Sequence, residues 1–166
     1  MSKLLRHHRA SDTCFITAVT HNRQPILADH SDLLTAAIRK YSAVLRFGLL
    51  AYVILPDHFH ALIECNGNDL SGILGRVKLS FSKHYRNRAG ISASHIWQRR
   101  FWDHIIRDQD DMNRHIDYIH YNPVKHRMVE SPFEWPLSSI HEYRREGFYT
   151  ADWGRREIEV VSAFGE

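Results

Sequence analysis

Two histidines spaced two residues apart, His58 and His60, are the strongest chemical signal in the chain. They lie in segment 58–65 (HFHALIEC), whose β-branched and apolar residues predict a strand. Because side chains alternate between the faces of a strand, both imidazoles project from one face, about 7 Å apart, and Phe59 points to the other. Two imidazole nitrogens at that separation can converge on one divalent metal ion. Two half-exposed histidines without a ligand would give the same pattern.

A tyrosine and an amide four residues apart, Tyr118 and Asn122, form the second signal. Within a helix these positions share one face, and we expect Tyr118 beside the apolar stripe rather than in it. Its phenol could then meet a phosphate, and the Asn122 amide oxygen could complete a metal site. Pro123 disfavours the helical conformation at Asn122. Alternatively, Tyr118 and Tyr121 pack at the edge of the domain.

Basic and aromatic residues are interleaved along the chain from Arg76 onward. Cations neutralise phosphates and exposed aromatic rings stack on unpaired bases, which favours a nucleic-acid surface. The predicted DNA contacts are Arg76, Lys83, Arg99, Arg100 and Lys125, and the aromatic residues among them are Trp97, Phe101 and Trp102. The net charge is only +3. A solvated helix face with tryptophans in the core is therefore the alternative.

The elements that must position these residues follow from the hydrophobic pattern. Strands are predicted over 14–20, 47–55 and 58–65, and helices over 31–46, 69–88 and from 108 to Pro123, which ends the last one; Ser31 or Asp32 caps the first. Segment 96–106 reads as irregular or strand-like, and an irregular tail is expected from about 127. This order predicts a single α+β domain over 1–166, a ferredoxin-like antiparallel sheet with helices packed on it.

Composition narrows the class of protein. The chain has 166 residues, of which 43% are hydrophobic, and this suits one globular domain. The longest apolar run, 47–55, is too short for a membrane helix, which needs about 20 residues, and the basic N-terminus does not resemble a secretory signal. Cys14 and Cys65 lack the spacing of a disulfide scaffold or zinc knuckle. We therefore expect a cytoplasmic protein with no membrane partner.

Several motifs together resemble the REP-associated tyrosine transposases, relatives of the single-tyrosine HUH transposases of small insertion sequences. They occur in order at 55–60 (LPDHFH), 97–104 (WQRRFWDH), 118–126 (YIHYNPVKH), 135–139 (WPLSS) and 149–153 (YTADW). The resemblance covers most of the chain. It implies a ferredoxin-like nuclease domain that cuts single-stranded DNA beside short palindromic hairpins called REP sequences.

The resemblance also implies roles for individual residues. His58 and His60 would be the metal pair for Mg²⁺ or Mn²⁺, and Tyr118 would be the nucleophile that forms a 5′-phosphotyrosine. The insertion-sequence relatives have glutamine four residues after the tyrosine, whereas this chain has the shorter Asn122. The ion could therefore lie closer to the helix or take a water ligand. His120 is a further candidate for the third ligand.

Other functions remain compatible with the sequence. One is a hairpin DNA-binding protein without catalytic activity. A second is a metal-dependent hydrolase in which water attacks the phosphodiester. A replication initiator or relaxase is a third, although the short chain argues against it. The expected partner in each DNA-based case is single-stranded or hairpin DNA, and both a monomer and a homodimer are possible.

Overall fold

A four-stranded antiparallel sheet forms the centre of the molecule. The computed structural model describes residues 12–92 and 95–155. The strands are β1 (Thr13–Val19), β2 (Gly48–Ile54), β3 (His58–Glu64) and β4 (Trp102–Ile105), and the helices are α1 (Ser31–Leu45), α2 (Leu70–Ala89), α3 (Gln109–Lys125) and α4 (Ile140–Arg145). The strand order is β2-β3-β1-β4. With α1 after β1 and α2 after β3, this βαββαβ order confirms the predicted ferredoxin-like α+β fold.

Helices cover both faces of the sheet. On one face Phe59, Ala61 and Ile63 of β3 pack with α1 and α2 in a buried apolar cluster. On the other face Phe15 and Leu62 pack with α3 and α4 in a second cluster. Since side chains alternate along a strand, His58 and His60 share the second face with Leu62, opposite Phe59. The sheet therefore delivers both histidines to α3.

The β2–β3 hairpin forms where Pro56 and Asp57 predict a turn. The backbone N–H of Leu55 donates to the carbonyl of His58 over 2.9 Å. This bond closes the turn directly before the histidine pair. The hairpin thereby fixes the start of β3 and the face on which the two imidazoles emerge.

The two helices on the first face differ in how they begin. Asp69 caps α2 by accepting from the backbone N–H of Gly72 over 2.7 Å. The apolar side chains of α2 that are buried are Ile73, Leu74, Val77 and Phe81. The prediction that Ser31 or Asp32 caps α1 is wrong, because the cap position falls on His30, which makes no capping bond with its side chain. Asp32 instead pairs with Arg88 of α2 over 2.7 Å.

Helix α3 runs through the proline that was expected to end it. Pro123 lies inside the helix, and the backbone N–H of His126 still donates to the carbonyl of Asn122 over 3.0 Å. Proline removes one helical hydrogen bond, here near the C-terminal end, where the loss interrupts only one turn. The extra turn keeps Asn122 helical and brings Lys125 onto the same helix as Tyr118.

The segment beyond residue 127 holds a helix where the sequence predicted an irregular tail. It lies along strand β2: the Trp135 indole donates to the carbonyl of Ile54 over 2.9 Å, and the Tyr143 hydroxyl donates to that of Leu50 over 2.8 Å. A backbone bridge also joins Val53 and Ser138. This segment therefore covers the β2 edge of the sheet and contributes to the core below α3.

Within residues 12–92 and 95–155, no helix combines the length and the apolar composition that a membrane crossing requires.

Candidate active site

Tyr118 and the histidine pair meet between β3 and α3. The ring centroids of His60 and Tyr118 are 5.3 Å apart, and those of His58 and His60 are 4.9 Å apart. All three side chains are at most 2% exposed. The groups that the sequence predicted to act together are therefore neighbours within one protomer.

Hydrogen bonds orient both imidazoles through Nδ1. The His58 Nδ1 lies 2.6 Å from the carboxylate of Asp57, and the His60 Nδ1 lies 2.8 Å from the hydroxyl of Thr17, its cross-strand partner. A carboxylate only accepts, so His58 carries its proton on Nδ1, and Nε2 is the nitrogen that could bind a metal ion. Outer partners of this kind commonly fix metal-binding histidines.

Asp57 stays ionised beside His58. Burial raises the pKa of its carboxyl, but the hydrogen bond from His58 and the ion pair with Arg23, at 3.0 Å, outweigh that effect. The net result is a pKa below the ordinary value. At neutral pH the carboxylate therefore remains an acceptor that holds the His58 ring in place.

The surroundings of Asn122 fit a side chain that binds a metal ion. Its side chain is 0% exposed, and neither Oδ1 nor Nδ2 makes a hydrogen bond to any residue the structure describes. Leaving a buried polar group unsatisfied costs about 1–3 kcal/mol, so such groups call for an explanation. An amide oxygen together with two imidazoles suits Mn²⁺, or Mg²⁺ with retained waters. The donor set therefore fits the predicted metal.

Replacing Asn122 with leucine should separate stability from metal binding. The near-isosteric Asn122→Leu removes an unsatisfied amide, so the free energy of unfolding without metal should rise by about 1–3 kcal/mol. The increase in melting temperature caused by Mn²⁺ should shrink, because one ligand is lost. Thermal melts with and without Mn²⁺ measure both effects. Asn113→Leu on the same helix is the control. If Mn²⁺ raises the melting temperature of Asn122→Leu as much as that of wild type, Asn122 is not a metal ligand.

Two residues near this site were not singled out for it by the sequence. Lys125 donates from Nζ to the Tyr118 hydroxyl over 3.2 Å, and the centroid of the His126 ring lies 5.1 Å from that of His58. Both follow Pro123, where the helix was expected to stop. Only a prediction that the helix continues past Pro123 would have placed these two residues near Tyr118 and His58.

His120 does not belong to this site. Its Nδ1 bonds the Tyr149 hydroxyl and its Nε2 bonds the Ser139 hydroxyl, each over 2.8 Å. The Tyr149 hydroxyl in turn donates to Asp117 over 2.8 Å. Burial lowers the pKa of His120 to about 3, so the ring is neutral at physiological pH. His120 fastens the C-terminal segment to α3, and the alternative that it is the third ligand is wrong.

The prediction that Tyr118 lies beside the apolar stripe is also wrong. The residue belongs to the apolar cluster of its face, and its ring centroid lies 5.8 Å from that of Phe15. The stripe is wider than the pattern indicates because the sheet covers one side of α3 and the C-terminal segment covers another. Tyr118 therefore sits in a buried site instead of on an open helix face.

The predicted DNA contacts fall into separate regions. Arg76 and Lys83 are exposed on α2, which packs on the sheet face opposite α3. Arg99 and Arg100 are exposed in the loop that leads into β4. Only Lys125 reaches the tyrosine directly. The structure thus does not bring these five cations into one patch around the phenol.

The aromatic residues predicted among these cations divide between core and surface. Trp97 is 7% exposed and packs with Phe59 and Phe81, which matches the alternative of a core tryptophan. Phe101 is half-buried against the same cluster. Trp102 is 37% exposed. Of the three, Trp102 is therefore the most accessible ring for stacking on a base.

A second group of possible ligands lies between β4 and α3. Atoms of His104, Asp111 and His115 lie within 4.8 Å of one another. However, Oδ2 of Asp111 already accepts from Nε2 of His104 over 2.8 Å and from the backbone N–H of Arg107 over 3.0 Å. The guanidinium groups of Arg107 and Arg114 lie 3.3 and 3.7 Å from the carboxylate and oppose a further cation. These contacts indicate a structural role, in which Asp111 ties β4 to α3.

Removing the Asp111 charge should destabilise the fold. Burial raises the pKa of this carboxyl, but hydrogen bonds from His104 and Arg107 lower it by more. The net pKa is therefore below the ordinary value. Its stabilisation is therefore complete above about pH 4 and is lost as the pH falls through the lowered pKa. Asp111→Asn should cost about 2–3 kcal/mol at pH 7 in urea unfolding, and its stability should vary less with pH below 4.

The matched control for this change is Asp110→Asn. Asp110 is the exposed neighbour in the same helical turn, so its loss should cost less than about 1 kcal/mol. Equal stability of the two variants would contradict the structural role of Asp111.

Comparison with known proteins gives the class of this fold and site. Residues 13–122 match the family described as IS200-like transposases, and the chain belongs to that family. This range includes the histidine pair, the tyrosine and Asn122.

Within the family, the chain is similar to REP-associated tyrosine transposases. It is 34% identical to that transposase of Escherichia coli strain K12, covering 92% of this chain and 91% of the relative. It is 36% identical to a Haemophilus influenzae protein provisionally described in the same way, over 93% and 94% of the two chains. A solved structure of a REP-associated tyrosine transposase bound to a REP hairpin superposes with a TM-score of 0.77, at 30% identity and full coverage of both chains. These findings confirm the resemblance on which the sequence analysis drew.

Proposed function

We propose that this protein cuts single-stranded DNA beside REP-like hairpins and transfers the cut strand through a 5′-phosphotyrosine at Tyr118. The observation that carries the proposal is the contact between the buried rings of His60 and Tyr118, whose centroids are 5.3 Å apart. Asn122 is buried one helical turn after Tyr118. The hairpin bound to a similar transposase supports the DNA substrate.

The proposed reaction is an exchange of phosphate esters. The Tyr118 oxygen forms a bond to phosphorus and the bond to the 3′ oxygen breaks, so the strand ends in a 3′-hydroxyl. Mg²⁺ or Mn²⁺ bound by His58, His60 and Asn122 would polarise the phosphoryl oxygen, which contributes several kcal/mol. Because the phosphotyrosine remains an ester, a 3′-hydroxyl can reverse the step without ATP.

The protein's own groups hold this geometry. Asp57 and Thr17 aim the two imidazoles, and α3 holds Tyr118 against the ring of His60. Tyr118 is 1% exposed, so DNA binding must be accompanied by a movement that uncovers its hydroxyl. We expect Arg99 and Arg100 to contact the DNA near β4, and Arg76 and Lys83 to contact duplex on the α2 side.

Two further expectations follow from this assignment. The tyrosine and the histidines come from the same chain, so the proposed site is complete in a monomer, and a homodimer is not needed to assemble it. Since the proposed substrate is DNA, the expected compartment is the cytoplasm.

A denaturing gel tests the proposal. Hairpin DNA with a single-stranded flank and a 3′ label is incubated with protein and Mn²⁺. A labelled band at the mass of protein plus DNA is expected, and EDTA should remove it. Cut DNA without attached protein would favour a hydrolase, and a native-gel shift without any cutting would favour a hairpin-binding protein. Either outcome would overturn the proposal.

A further inference from the structure

The side chain of Lys125 lies against the proposed nucleophile. Its Nζ donates to the Tyr118 hydroxyl over 3.2 Å and lies 4.9 Å from the centroid of the same ring. Lys125 is half-buried in the last turn of α3, two turns after Tyr118. The cation is therefore adjacent to the atom that would attack phosphorus.

We propose that Lys125 is a catalytic residue whose ammonium group stabilises the Tyr118 oxygen as a phenolate, both when DNA is cut and when it is rejoined. The inference rests on the proposed function, because it assigns a task within that reaction. It replaces the sequence-based view of Lys125 as a general phosphate contact with a specific role at the nucleophile.

The chemistry of a phenol explains why such a group is needed. A neutral phenol is a weak nucleophile, and its oxygen attacks phosphorus as the phenolate. An anion in a buried site is also costly unless it is paired. A positive donor at hydrogen-bonding distance offsets that cost, since hydrogen bonds to charged groups are the strong ones.

Solvent water accepts and supplies the protons in this reaction, and no oxidant or reductant is needed. The phenolic proton passes to water, the phenolate oxygen bonds to phosphorus, and the departing 3′ oxygen takes up one proton. In rejoining, the attacking 3′-hydroxyl gives its proton to water as its oxygen bonds to phosphorus. The bond from phosphorus to the tyrosine oxygen breaks, that oxygen leaves as phenolate beside Lys125, and it then takes up one proton from water. The same ammonium group therefore acts on the attacking atom in one direction and on the leaving atom in the other.

The test compares Lys125→Met, Lys125→Arg and wild type. Binding of hairpin DNA is measured by native gel at several salt concentrations, and the single-turnover rate of covalent attachment is measured at saturating DNA. We expect Lys125→Met to slow attachment by about 10²-fold, the usual effect of removing one such donor. The Kd should stay within about threefold. Lys125→Arg, which keeps the charge, should retain a larger share of the rate.

Rejoining gives an independent readout. Isolated adduct is mixed with a strand that carries a 3′-hydroxyl, and the release of protein is followed. A similar slowing in Lys125→Met is expected, because the tyrosine oxygen is then the leaving atom. If attachment at saturating DNA is unchanged while Kd rises and the salt slope falls by about one, Lys125 is a phosphate contact and the inference is wrong.

Controls separate this inference from the proposed function and from loss of fold. Lys40 is a second lysine that lies over a tyrosine ring: its Nζ is 5.3 Å from the centroid of Tyr41, on the exposed surface of α1. Lys40→Met should therefore not alter the rate of attachment or of rejoining. No adduct with wild-type protein would defeat the proposed function. An adduct with wild type and an equal rate in Lys125→Met would defeat only the role of Lys125. Thermal melts verify that each variant is folded.

Discussion

Tyr118→Phe should abolish covalent attachment to DNA and leave hairpin binding within about twofold of wild type. Phenylalanine keeps the ring contacts with Phe15 and His60 and loses only the oxygen. The lost hydrogen bond from Lys125 should change stability by no more than about 1.5 kcal/mol. The denaturing gel with 3′-labelled DNA reports attachment, and a native gel reports binding.

Tyr121→Phe is the matched control for this change. Tyr121 is a second buried tyrosine of α3, 7% exposed, so the two variants lose the same atom from neighbouring turns of one helix. Tyr121→Phe should attach to DNA at the wild-type rate. If attachment persists in Tyr118→Phe and disappears in Tyr121→Phe, the nucleophile must be reassigned.

His60→Ala should remove metal-dependent cutting. Its ring contacts Tyr118 and is aimed by Thr17, so its loss deprives the ion of a ligand next to the nucleophile. Lewis-acid stabilisation of several kcal/mol corresponds to a rate loss of about 10²-fold or more. His58→Ala should behave similarly. The rate of attachment as a function of Mn²⁺ concentration, and the Mn²⁺-induced rise in melting temperature, are the two measurements.

His84→Ala is the control for the histidine variants, since His84 is exposed on α2, on the opposite face of the sheet. Its Mn²⁺ dependence should equal that of wild type. An unchanged Mn²⁺ dependence in both His58→Ala and His60→Ala would move the metal away from this pair. The His104, Asp111 and His115 group would then be examined next, with Asp111→Asn.

The local part of the site could be read from the sequence. Alternation along a strand is a property of the backbone, so the shared face of His58 and His60, and the opposite face of Phe59, follow from a period of two. The helical spacing of Tyr118 and Asn122 follows in the same way from a period of 3.6. Because these periods do not depend on distant contacts, the shared face of the two histidines and the position of Tyr118 and Asn122 on one helix agree with the structure.

The rest of the site depends on contacts between distant parts of the chain. Thr17 becomes the partner of His60 only through the register of β1 against β3, which the sequence does not encode locally. The burial of Tyr118 depends on packing against Phe15 and His60, which lie on two other elements of the fold. Pro123 misled the prediction because a rule about helix interiors applies weakly in the last turns of a helix. Lys125 and His126 lay beyond that expected end and were therefore not assigned to the site.

The segment that hydrogen-bonds to β2 also affects how the protein behaves in concentrated solution. Unpaired strand edges are templates for intermolecular pairing and aggregation. Here one border strand is shielded by Trp135, Tyr143 and Ser138. The opposite border, β4, has four residues and includes Asp103, and both its short length and this acidic side chain discourage edge-to-edge pairing with another molecule. Recombinant versions shortened to the 13–122 core would uncover β2, and inclusion bodies should be expected from them.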